Sequence, residues 1–213
     1  VGLHHDGVAL ATFQFFLEKA TSQVLTVAIE QLMQNTGHRI PEVDAIAIAK
    51  GPGSYTGLRI GTATAKGLSY ALQKPLIAIS TLEAMTCEVR RFYPSAGYYF
   101  CPMIDARRME VYCAIYNESL ETVVPVQAKI IDENSFDEIE VNHEIIFFGD
   151  GAAKCREKLA HHPKSVFIDN VSPSAHYVGL LAWEAFQKNQ FENVETFEPF
   201  YLKEFVSTKD IPK

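Results

Sequence analysis

No apolar run in this 213-residue chain approaches the roughly 18–20 residues that a helix needs to cross a bilayer. No basic-then-apolar leader opens it, so no segment has the pattern of a secretory signal. Cysteine is sparse. Cys87, Cys101, Cys113 and Cys155 include no Cys-x-x-Cys spacing, which argues against a disulfide scaffold and gives a zinc site no ligand pair to start from. They are expected to be buried or idle thiols in a reducing, cytoplasmic compartment. Histidine offers no metal clamp either. His4-His5 and His161-His162 are adjacent, and neighbours on a strand or helix point apart, so both pairs are expected at the surface or in turns. Positive charge is in short supply. A net charge of −7 argues against a broad nucleic-acid-binding face and leaves room only for a local basic patch. Met is absent from the first position, which is Val1, so the natural start is expected to lie upstream.

What is present is the composition of an ordinary globular protein, 47% hydrophobic and 21% charged. The length suits one large domain or two small ones. Asp6-Gly7 between two apolar runs predicts a hairpin over residues 1–16. Leu25, Ile29, Leu32 and Met33 recur at helical spacing, which predicts a helix over about 22–35 stopped by Gly37. The run 43–49 alternates little and predicts a strand buried on both faces. A helix over about 56–72, a strand over 75–79 and a helix opened by the capping box Ser80-Thr81-Leu82-Glu83 follow. Strands are then expected over 98–104, 110–116, 122–126, 144–148 and 166–168, with a helix after Gly149-Asp150-Gly151. A last helix is capped by Ser172 or Ser174. The second half repeats the first at low resolution. This order predicts two α/β units, each a mixed sheet flanked by helices, divided near residues 95–97 into 1–97 and 98–213.

The stretch Lys50-Gly51-Pro52-Gly53-Ser54-Tyr55-Thr56-Gly57-Leu58-Arg59-Ile60-Gly61 carries the most information. A strand feeding a Gly-rich turn and a helix start can hold an anion on free backbone N–H groups. It can also let a second backbone come close, because Gly lacks a Cβ. A phosphate-binding P-loop needs Lys then Ser or Thr after its last Gly, and Gly57 is followed by Leu58-Arg59. A nucleophile elbow on Ser54 needs Gly at 52 and 56, which are Pro52 and Thr56. Ser54 is better placed as a helix cap. Gly57, Gly61 and Ala65 recur every four residues, and Gly within a helix costs about 1 kcal/mol against Ala. Close packing of another element against that stripe is the usual return. Two other turns are candidates. Asp105 and Glu110, around Arg107, are either an acid/base pair or a polar turn, with an ion pair between the halves from Arg107 as a further option. Gly149-Asp150-Gly151 is either a nucleotide-proximal turn or a plain strand–helix connection.

The run from Ala47 to Gly61 closely resembles the hallmark of the bacterial TsaB family, also called YeaZ. So do Pro75-Leu76-Ile77-Ala78-Ile79-Ser80-Thr81-Leu82-Glu83, Ile104-Asp105-Ala106-Arg107-Arg108-Met109-Glu110-Val111-Tyr112 and Pro199-Phe200-Tyr201-Leu202, in the family's order. The resemblance implies two tandem domains of the actin, sugar-kinase and Hsp70 (ASKHA) fold, with a first strand of Ile-Asp-Thr type ahead of the hairpin. It implies a non-catalytic scaffold for tRNA N6-threonylcarbamoyladenosine formation, one that binds and activates the paralogue TsaD together with the ATPase TsaE. TsaD carries paired metal-binding histidines, and no such pair occurs in this sequence. No cofactor is then expected in the isolated chain; ATP is used by the complex, and tRNA is reached through it. Leu25, Ile29, Leu32, Gly57, Arg59, Gly61 and Ala65 are expected to face TsaD, or a second copy when TsaD is absent. The loop Gly51, Pro52, Gly53, Ser54, Tyr55 and Thr56 is expected at the rim. The competing expectation is an ATP-dependent kinase or transferase of the actin-like fold, its nucleotide near Gly149, Asp150 and Gly151. A metalloprotease would instead need bound metal.

Overall fold

Asp6 and Gly7 both take positive φ, +50° and +79°, and turn β1 (Gly2–His5) back onto β2 (Val8–Thr12) as an antiparallel hairpin. This description rests on a computed structural model, which describes residues 1–16, 21–94, 97–137, 139, 143–160 and 164–202. Helix α1 (Thr21–Asn35) ends where Gly37 adopts φ +72°. Residues 40–42 form a 3₁₀ turn, so strand β3 (Ile46–Gly51) starts three residues later than the apolar run suggests. Ser54 caps α2 (Tyr55–Leu72), its hydroxyl accepting from the Gly57 N–H at 3.4 Å. β4 (Leu76–Ser80) pairs parallel with β3, and Ser80 caps α3 (Thr81–Val89) in the same way.

The second half builds a five-stranded sheet from β5 (Tyr98–Asp105), β6 (Glu110–Tyr116), β7 (Thr122–Ile130), β8 (Glu144–Phe148) and β9 (Ser165–Ile168). Its order is β7-β6-β5-β8-β9, antiparallel through β7, β6 and β5 and parallel through β5, β8 and β9. Helix α4 (Asp150–Leu159) covers one face, where Cys155 and Leu159 meet Cys101, Cys113, Ile115 and Phe147. Leu82, Met85 and Val89 of α3 cover the other, against Phe100, Ile104 and Phe148.

The chain is therefore an α/β protein of mixed sheets flanked by helices, but its halves are not cleanly separate tandem units. The opposite side of α3 places Ala84 and Cys87 against Ile77 and Ile79 of β4 and against Leu181, Ala182 and Ala185 of α5 (Ala175–Gln187). Helix α5 lies beyond the expected boundary at 97, yet it packs on β1, β2, β3 and β4. Among the described residues β1–β2 and β3–β4 are two separate pairs that share α5. A two-stranded pair buries little, and β3 is accordingly half-buried rather than covered on both faces. All four cysteines are free and buried. His5 is exposed as expected. His4 departs from the expectation: its ring packs on the Cβ-less surface of Gly179 and its Nε2 lies 3.0 Å from the His176 carbonyl. His161 and His162 lie outside the described residues.

Candidate partner face and motif loops

Gly51 has φ +110°, and a Cβ there would sit 3.0 Å from the Phe200 carbonyl oxygen. Close backbone approach is thus the job this glycine performs. The Phe200 N–H donates to the Lys50 carbonyl at 2.7 Å, so the C-terminal segment is stitched onto the end of β3. Its neighbours tighten the seam. Tyr201 packs on Tyr55 with ring centroids 5.0 Å apart, and the Arg59 guanidinium lies 5.6 Å from the Tyr55 ring centre. Lys66 donates to the carbonyls of Glu195 and Phe197 at 3.1 and 3.0 Å. Phe197 itself is buried with Ala65 and Leu76. Two motifs far apart in sequence, 50–57 and 199–202, therefore form one seam. Each was visible alone; their contact was not, because no local spacing encodes a return of the chain across about 150 residues. Beside the seam lies an open cavity of about 590 Å³, lined by Lys50, Asn193, Thr196, Glu198 and Tyr201 among others. Pro52 is buried, Gly53 half-buried, and Ser54 and Thr56 exposed.

The residues expected at a partner face divide in two. Leu32 is 1% exposed and Ala65 6%, so both belong to this chain's interior rather than to a docking surface. A Cβ on Gly61 would touch Ile48 of β3 at 3.4 Å, so this position serves helix-on-strand contact. The Gly61 part of the stripe thus faces inward. Leu25, Ile29 and Gly57 are half-buried and Arg59 is exposed. Val27, which the periodicity did not single out, is 62% exposed on α1. Helices α1 and α2 lie side by side, and a smaller cavity of about 220 Å³ opens between Val24, Leu25 and Ala28 of α1 and Phe13 and Phe15 after the hairpin.

The two second-half turns resolve differently from a catalytic expectation. The Asp105 carboxylate accepts from the Lys154 ammonium of α4 and from the Arg107 N–H at 2.7 Å. Asp150 in turn accepts from the Asp105 N–H at 2.9 Å. Burial works to raise the Asp105 carboxyl, but the Lys154 and Arg107 hydrogen bonds overcome it and hold the group below the usual carboxylate range. That direction is the reverse of what a general acid needs at neutral pH. The ion pair joins Asp105 to Lys154 within the second half; it does not run from Arg107 to the first. At the other turn, Gly149 has φ +98° and a Cβ there would lie 2.2 Å from the Met103 carbonyl oxygen. A Cβ on Gly151 would lie 3.0 Å from the Ile104 carbonyl carbon. These glycines let α4 start hard against β5.

A half-buried carboxyl, Glu83, stands at the start of α3. Burial raises the Glu83 carboxyl above its ordinary value, the Lys50 charge opposes that rise and Glu184 adds to it. Burial likewise pushes Tyr116 up to about 12, against a hydrogen bond with Ser80. Among the described residues, no three His, Cys, Asp or Glu side chains gather into a metal-holding group. None of the described helices is long and apolar enough to cross a membrane.

A profile of the family described as "TsaD: tRNA N6-adenosine threonylcarbamoyltransferase" matches residues 16–208. The tRNA threonylcarbamoyladenosine biosynthesis protein TsaB of Escherichia coli is 28% identical over 221 residues, covering 100% of this chain and 93% of that protein. The chain belongs to the TsaB (YeaZ) family. The TsaB of Bacillus subtilis is 35% identical over 130 residues, 60% of this chain and 55% of that relative's length. A tRNA N6-adenosine threonylcarbamoyltransferase of Methylorubrum populi matches a shorter stretch, 44% identical over 66 residues and 19% of its own length. In structure, YeaZ from Pseudomonas aeruginosa superposes with a TM-score of 0.80 at 27% identity, covering 94% of this chain and 92% of that one. The seam between residues 50–57 and 199–202, and the α1–α2 pair beside it, are thus set in a YeaZ fold.

Proposed function

We propose that this chain is a non-catalytic scaffold in tRNA N6-threonylcarbamoyladenosine formation. It docks on the TsaD paralogue, together with the ATPase TsaE, and brings TsaD to activity. The full-length similarity to a TsaB protein supports this reading. The docking surface is on α1 and α2, where half-buried Leu25 and Ile29 offer apolar area along one side of α1, exposed Val27 adds more on its opposite side, and Gly57 and Arg59 stand at the edge. In the absence of TsaD the same surface takes a second copy of the chain. ATP is consumed by the assembly rather than held by this subunit, tRNA is reached through the partners, and the setting is cytoplasmic.

The test is threonine incorporation into unmodified tRNA by TsaD, TsaE, the adenylate-forming enzyme and ATP, with and without this chain. Incorporation only when the chain is present, with none from the chain alone, is the expected result. Equal incorporation without it would reject the scaffold role and promote a stand-alone kinase or transferase.

A further inference from the structure

The turn between β5 and β6 places two arginines where the backbone resists them. Arg107 has φ +70° and Arg108 φ +52°, a region that Gly or Asn enters at lower cost than a long side chain. The turn is nevertheless firmly held. Lys154 donates to the Asp105 carboxylate and to the carbonyls of Arg108 and Glu110, the last two at 2.6 and 2.7 Å. The Ala106 N–H donates to the Glu110 carbonyl at 3.1 Å, and the Glu110 N–H to the Arg107 carbonyl at 3.2 Å. Lys154 also satisfies the charge of Asp105, the carboxylate best placed to draw a guanidinium back.

Both arginine side chains are exposed, and neither makes a hydrogen bond or ion pair among the described residues. Arg107 adds only to the field at Asp105. Every other arginine of the chain is engaged. Arg39 pairs with Glu42, Arg59 lies over Tyr55, Arg90 donates to the Glu118 carbonyl, Arg91 to the Tyr177 hydroxyl, and Arg156 pairs with Asp169. Two unpartnered guanidiniums, side by side on a fixed turn of a chain with net charge −7, are an exception that strain and charge both oppose. Costly conformations of this kind persist where the side chains they present have work to do.

We propose that Arg107 and Arg108 form a phosphate-binding clamp. Each guanidinium presents a planar fork that matches two phosphate oxygens, and the pair spans one phosphate or two adjacent ones. A nucleotide and an RNA backbone both carry that chemistry. The clamp lies on the second half, apart from the α1–α2 side, and does not depend on how the chain docks with a partner.

The test titrates ATP, and separately a tRNA anticodon stem-loop, into the full chain and into its R107N/R108N variant at low and moderate salt. Asn accepts the left-handed backbone, so the variant is expected to melt no lower than the parent, and weaker binding then reports the lost forks. The parent is expected to bind at least one probe, more weakly as salt rises, and the variant to lose about tenfold or more. Loss confined to ATP assigns the clamp to nucleotides; loss confined to the stem-loop assigns it to RNA. R107K/R108K keeps the charge without the fork and is expected to fall between. Equal affinities in parent and variant, or no binding of either probe by the parent, would overturn the proposal. Binding of either probe by the parent would put ATP or RNA phosphates on this subunit as well as on its partners; the scaffold role itself is decided by incorporation with the unaltered chain.

Discussion

Gly149 shows how much a single hydrogen in place of a side chain can decide. Its φ of +98° and the Met103 oxygen 2.2 Å from a notional Cβ leave Ala nowhere to go. Gly149→Ala is expected to cost about 3 kcal/mol or more, through overpacking and backbone strain together, read as a lower urea midpoint at unchanged slope. Glu83 makes a second prediction. Its carboxyl is raised by burial above the ordinary 4.5, so between that value and its folded pKa the native state holds more proton than the unfolded chain. Its contribution is then most favourable below about pH 4.5 and declines as pH rises through the folded value. Glu83→Gln is expected to raise the melting temperature at pH 7, with the gain disappearing toward pH 4. Both residues were conspicuous in the sequence, but only half of what they do was readable there. A Gly announces that something comes close without saying what, and at 149 the β5 backbone comes close. Glu83 was legible as part of a capping box; that Glu184 of α5 would add its charge to the same carboxyl was not.

Helix α1 carries two faces that a mutation series can separate. Leu32 is interior, so Leu32→Ala is expected to lose about 2–5 kcal/mol, whatever partner is present. Ile29 is half-buried on the edge of the same stripe. Ile29→Arg is expected to leave the melting temperature within a few degrees while weakening capture of TsaD tenfold or more, measured by calorimetry. Equal loss of stability in both variants would show that α1 has no free side. Helical periodicity revealed α1 and α2 well, and Ser54 and Ser80 marked the starts of α2 and α3 correctly. It could not rank Leu25, Ile29 and Leu32 by exposure, because a stripe wide enough to meet a sheet also continues around the cylinder. The Gly57–Gly61–Ala65 spacing was equally ambiguous: small residues admit a neighbour, and at Gly61 the neighbour is Ile48 of the same chain. Helix α3 was legible from its capping residues; that it is buried on both sides was not.

At the scale of the molecule, the alternation of strands and helices made the α/β class readable, and the five-stranded sheet matches its predicted strands with β7 four residues longer than expected. The two-domain division was less readable, since α3 and α5 each serve both halves. The seam of residues 190–202 is a third feature beyond local pattern. Phe197→Ala is expected to cost about 3–5 kcal/mol, with hydrogen exchange accelerating in β4 and α2 before β5 and β6, because its contacts are Ala65 and Leu76. That seam also has a consequence in time. Strands β3 and β4 leave the ribosome early, but the helix and the segment that cover them are made more than 90 residues later. At roughly 5–20 residues per second, the first half waits several seconds with only α2 and α3 on its strands and the area that α5 and residues 190–202 will cover still bare. A nascent chain of this kind is expected to need shelter during synthesis, and its partners to meet it only once the last stretch has closed over the beginning.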